Sequence, residues 1–214
     1  MVKLGRSPVL DIGTLGRMFR DEYPINQEAF KRNKTRLLVG LTSARTGEEV
    51  MVDAGKLKNP LSPVIATMLV PFISGLPSPT VKINGEGYYD GGIPNPLPMN
   101  RALEQDPTHI LVLAPVPLDF RIQQSPMVEN TIHWMVTRGL LPKIGHALAD
   151  FPRNFNTGYD ELQACVNGNA EINGVKIAVI APTNFIDPLS MKKSELYERQ
   201  QNAKLFTSQL LQQV

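Results

Sequence analysis

The chain has 214 residues, enough for one domain or a tight pair at roughly 150 residues per domain. Its 22 Lys and Arg nearly balance 20 Asp and Glu, leaving +2, and 42% of residues are hydrophobic. That argues against intrinsic disorder and against a polybasic nucleic-acid binder. A single cysteine, Cys165, excludes an internal disulfide framework and any multi-cysteine metal site, and His109, His133 and His146 show no metal-ligand spacing. No stretch approaches the ~18 uninterrupted apolar residues of a spanning helix. No apolar run follows Lys3 and Arg6 as a signal peptide requires, so a cytoplasmic location is expected. Proline is abundant, 18 residues or about 8% against a usual ~5%, which predicts many turns around short elements.

In chain order, Leu10 to Tyr23 carries a helical spacing, with a second short helix near Phe30 capped by Asn26. Arg36-Leu-Leu-Val-Gly-Leu41 reads as a strand buried on both faces. Ser43 to Gly47 is a turn and Val50 to Asp53 a returning strand. Pro60 to Phe72 is expected to hold a helix opened by Ser62 and Pro63, followed by a loop over Gly75 to Pro79. Asn84-Gly85 supplies the positive φ angles of a type I′ turn between Thr80–Ile83 and Tyr88–Tyr89. A helix over 98–105 leads to a strand at Thr108–Ala114. Two helical stretches follow over 125–150, then a helix at 157–166, a strand at Val175–Ala181 and a long helix from Ser190 to Leu211. Strands alternating with helices predict an α/β protein, three layers around a mostly parallel sheet, in one domain spanning 1–214.

The chemistry concentrates in Ile83-Asn-Gly-Glu-Gly-Tyr-Tyr-Asp-Gly-Gly-Ile-Pro-Asn-Pro-Leu-Pro98. Asp90 leaves an apolar-aromatic strand, and Gly91 and Gly92 let the backbone fold back tightly and leave the carboxylate open to an approaching group. α/β sheets place ligand crevices at such strand ends. A turn that simply needs Asp-Gly is the plainer reading of these residues alone.

The run resembles the Asp-Gly-Gly block of the patatin-like phospholipase family of serine lipid acyl hydrolases. The surrounding order is similar too: Val9-Leu-Asp-Ile-Gly-Thr-Leu15, a strand hairpin around Thr46-Gly47, the segment Pro63 to Pro79, Asp90-Gly91-Gly92 with Asn95-Pro96, and Ile110-Leu-Val-Leu113. The resemblance covers residues 9 to about 115 well and the remainder loosely. It implies a Ser–Asp dyad in which a serine attacks an acyl ester and an aspartate takes its proton without a histidine. Asp90 carries over as that base, and Gly91 and Gly92 as its motif partners. The implied substrates are lipid or other acyl esters, with no metal and no organic cofactor, and with peripheral membrane contact.

The sequence departs from the pattern in two respects. It contains no Gly-x-Ser-x-Gly; the nearest run, Gly5-Arg6-Ser7-Pro8-Val9, lacks the second glycine and a preceding apolar strand. The family's glycine-rich oxyanion loop is missing too. The expectation is therefore the C-terminal part of the domain, inactive alone, associating with its missing half or with itself. A non-catalytic lipid- or protein-binding module on the same fold is the alternative. A third reading makes Ser43 the nucleophile. Cys165 is expected to be a structural thiol, and the cluster Met127, His133, Trp134 and Met135 is expected to be core rather than a lipid-facing surface.

Overall fold

The computed structural model describes residues 16–22, 24, 26–69, 80–123, 125–139 and 144–183, with scattered positions between 197 and 208. The block at Val9–Leu15, the loop over 75–79 and most of the helix expected over 190–211 lie outside the described residues. The chain is mixed α/β, with a four-stranded and a three-stranded sheet among the described residues. It groups into two compact units: residues to Pro98 with Gln123–Phe155, and Met99–Ile122 with the residues from Asn156 onward.

In the first unit, a π-helical turn at Met18–Glu22 precedes helix α1, Gln27–Arg32. Asn26 caps α1 as expected, its side chain accepting from the Ala29 N–H. Strands β1 (Leu38–Ser43) and β2 (Glu49–Asp53) form the first hairpin, in register Leu38 opposite Asp53. A 3-10 turn at Ala54–Lys56 and helix α2, Leu61–Ala66, follow. Helix α2 is shorter than the expected span to Phe72. Strands β3 (Val81–Ile83) and β4 (Glu86–Asp90) form the second hairpin. Asn84 and Gly85 at its tip have φ of 52° and 88°, the left-handed pair that a type I′ turn needs. Strand β4 returns beside β1, so the sheet runs β2-β1-β4-β3 and every pairing in it is antiparallel. Val39, Leu41, Ala54, Ala66 and Ile83 make one buried cluster; Leu69, Tyr89, Ile93 and Ile144 make a second.

In the second unit, helix α3 (Met99–Leu103) leads to β5, His109–Leu113. Helix α4 (Pro126–Thr137) lies in the first unit. Helix α5, Ile144–Asn167, begins in the first unit and continues into the second. Helix α5 keeps going through Pro152. Its apolar positions Ile144, Leu148, Phe151, Phe155, Tyr159 and Leu162 hold one face without interruption, which outweighs the missing N–H of a single proline. Strands β6 (Glu171–Ile172) and β7 (Val175–Ile180) complete a sheet of order β5-β7-β6. Asn156 grips the end of the loop after β5, its Oδ1 accepting from the Ile122 N–H at 2.8 Å and its amide donating to the Ile122 carbonyl at 3.0 Å. Arg121 donates to Asp160 and to the Leu118 and Phe120 carbonyls.

The mostly parallel sheet expected from the sequence is not what forms. Among the described residues only β5 and β7 pair parallel. The reason is connection length: Thr46-Gly47 and Asn84-Gly85 join strands by short turns, and only antiparallel neighbours can be joined that way. Among the described residues no helix is long and apolar enough to cross a membrane.

Candidate active site around Asp90

Strand β4 ends at Asp90 opposite Leu41 of β1, and strand alternation puts the carboxylate on the same sheet face as Leu41 and Tyr88. The backbone there is held from several sides. The Asp90 N–H donates to the Leu69 carbonyl at 3.0 Å. The Asp90 carbonyl accepts from the hydroxyl of Thr42 at 2.5 Å, a side chain with no exposed surface. The Ile93 N–H closes back on the same carbonyl at 3.4 Å, making 90–93 a tight turn. The carboxylate itself accepts from the Gly92 N–H through Oδ1, at 2.9 Å. Among the described residues that is the bond the carboxylate makes, and Oδ2 is left to other groups. Burial pushes the Asp90 carboxyl above its ordinary value, opposed by the Gly92 hydrogen bond.

The two glycines act differently from the sequence expectation that both simply clear the way to the carboxylate. A Cβ on Gly91 would sit 2.1 Å from the Gly40 carbonyl oxygen and 2.6 Å from the Leu41 nitrogen. Gly91 is thus demanded by the close approach of the turn to β1. A Cβ on Gly92 would lie 3.3 Å from Asp90 Oδ1, so Gly92 is the residue that leaves space beside the carboxylate while its N–H holds it.

The segment after the glycines is fastened in turn. The Asn95 side chain donates to Glu49 Oε1 at 2.9 Å, and Asn154 on α5 donates to the Pro94 carbonyl at 3.1 Å. An open cleft of about 540 Å³ lies here, walled by Thr46–Glu49, Pro94 and the His146, Ala147, Asp150 and Asn154 positions of α5. Asp90 is not part of its wall. Thr42, Glu49 and Asn154 escape sequence reading because each acts through a partner more than forty residues away. Only Asn95, inside the motif, carried a signal.

The other candidates fall away from Asp90. Ser43 is buried, but its Oγ accepts from the Arg45 and Thr46 N–H groups at 3.3 and 3.2 Å. Its position opposite Tyr88 is two residues from the Asp90 pairing. It serves as the hairpin's turn residue. Cys165 is a free, half-buried thiol on α5. His109 bonds Thr108 and His133 is exposed. Among the described residues no group of His, Cys, Asp and Glu could hold a metal. Met127, His133 and Trp134, expected in a core, are exposed on α4, and Met135 is half-buried. Compared with protein-family models, with curated proteins and with solved structures, the chain has no match.

Proposed function

We propose that this chain carries the general-base part of a patatin-like acyl-ester hydrolase, with Asp90 as the base, in a cytoplasmic protein acting on lipid esters at a membrane surface. The supporting observation is the carboxylate itself: held through Oδ1 by the Gly92 N–H, with burial raising its proton affinity. A carboxylate whose pKa is raised toward the working pH is a stronger proton acceptor. In the proposed step a serine hydroxyl attacks the ester carbonyl carbon and its proton passes to Asp90 Oδ2. Collapse of the tetrahedral intermediate breaks the ester C–O bond, and the leaving alkoxide takes that proton from Asp90 and departs as the alcohol. Water, deprotonated by Asp90, then releases the fatty acid and restores the serine. Gly91 and Gly92 shape the turn that presents the carboxylate.

The serine has to come from a partner polypeptide or a further part of the protein, since the sequence holds no elbow motif and Ser43 is tied into its turn. The chain alone is therefore expected to give no fluorophosphonate labelling and no p-nitrophenyl ester hydrolysis. Mixed with a polypeptide that carries a Gly-x-Ser-x-Gly elbow, it should gain ester hydrolysis that Asp90→Asn abolishes. Labelling of the isolated chain that depends on Asp90 would overturn the assignment of the serine. Hydrolysis unchanged by Asp90→Asn would overturn the role of the aspartate.

The turn bonds of Ser43 also favour a second reading, a non-catalytic lipid- or protein-binding module. Lipid or partner binding by the isolated chain that is indifferent to Asp90→Asn, with no hydrolysis in any mixture, supports that reading over the first.

A further inference from the structure

Helix α4 presents a surface that its fold does not use. None of its twelve residues is buried, and Met127, Val128 and Trp134 are 80%, 55% and 51% exposed. Side chains at i, i+4 and i+7 share a helix face, which aligns Met127, Thr131, Trp134 and the following Arg138. Its half-buried residues are Glu129, Ile132, Met135 and Val136, and the helix's carboxylate, Glu129, lies across the helix from Met127, Trp134 and Arg138. Arg138 stacks on the indole, its guanidinium carbon 5.3 Å from the ring centroid. The Thr131 hydroxyl donates to the Met127 carbonyl at 2.7 Å, so this one polar side chain of the stripe is satisfied within the helix.

We propose that α4 is a membrane-docking helix, laying Met127 and Trp134 into the interface of an anionic lipid surface with Arg138 at the level of the phosphates. Charge selects this occupant. The stripe carries a cation and no acid, so a second copy packed on it would bury Arg138 without a carboxylate, which is costly. Lipid phosphates supply the opposite charge, and an amphipathic indole with a cation beside it suits the headgroup boundary. With one cation on a short helix the binding is weak and reversible. The inference stands apart from the role of Asp90, since it needs no catalysis.

Trp134 is the chain's one tryptophan, so its fluorescence reports this site alone. With vesicles of phosphatidylcholine containing phosphatidylglycerol, the emission of the whole chain should shift to the blue, and the chain should co-sediment. Brominated lipids should quench the indole without any substitution. Pure phosphatidylcholine and high salt should weaken binding. Met127→Asp should reduce it by about tenfold or more, and Arg138→Glu should remove the preference for anionic lipid. Asp90→Asn should leave binding unchanged, which keeps this test separate from the hydrolase reading. No blue shift or quenching with any vesicle, or binding that survives Met127→Asp, overturns the proposal. So does a blue shift that grows with protein concentration in lipid-free solution, which would give the stripe to a second copy.

Discussion

The carboxyl of Asp90 contributes to stability with the opposite sign to most carboxylates. Burial raises its pKa from the ordinary 3.8, so on a rising pH the unfolded chain loses this proton first. Between 3.8 and the raised folded value the folded state therefore binds more protons, and this group lowers stability as pH increases through that window. Asp90→Asn removes the buried charge and keeps an oxygen for the Gly92 N–H. Thermal melts should show the variant more stable than the parent at pH 7.5, with the gap closing below pH 3.8. A variant less stable than the parent at pH 7.5, with the difference vanishing at low pH, would mean that the carboxylate is instead stabilised by a positive partner. Asp53 behaves in the usual way: the Arg36 guanidinium at 3.0 Å lowers its pKa, so its contribution is present at neutral pH and is lost as pH falls. The position of Asp90 was legible from its residues, a carboxylate between an aromatic strand end and two glycines. The bond from Thr42 was not, because nothing in a strand's own pattern tells which distant backbone its hydroxyl will meet.

Among the elements, both hairpins were legible because their turns are chemical: Asn84-Gly85 takes positive φ, and Gly47 does the same at 77°. The direction of the first sheet followed from those turns, but alternation of helix and strand along the chain masked it. The short strand β6 carries only two residues, too few for any period. Helix α5 spans what the sequence divides between the second stretch of 125–150 and a separate helix at 157–166, because it runs on through Pro152. The contact between the Asp-Gly-Gly turn and β1 is the least forgiving join in the first unit. Gly91→Ala places a methyl inside the Gly40 carbonyl, and backbone cannot retreat as a side chain can. The substitution should cost about 3 kcal/mol or more or prevent folding, as measured by urea denaturation. A loss under about 1 kcal/mol would show that the turn can lift off the strand.

At the scale of the molecule, the three-stranded sheet stands out. Among the described residues strand β5 is at its edge, and along it Val112 is buried while Leu111 and Leu113 are 57% and 69% exposed. An open edge beside an apolar face invites association. The chain should self-associate at high concentration, as read by light scattering. Leu111→Lys with Leu113→Lys should suppress this while changing stability by no more than about 0.5 kcal/mol. A parent chain that stays monomeric would overturn the expectation. The strand at Leu38, read from the sequence as buried on both faces, does lie inside its sheet, between β2 and β4.

The pairing of β5 also sets an order of events during synthesis. The first sheet has all its strands once Asp90 has emerged. His109, by contrast, pairs with Lys176, roughly 67 residues later. At about 5–20 residues per second, the stretch Ile110-Leu111-Val112-Leu113 leaves the ribosome and waits about 3–13 s for its partner. Whatever shields that stretch on the nascent chain, a chaperone or the ribosome surface, therefore governs how much of the second unit is productively made.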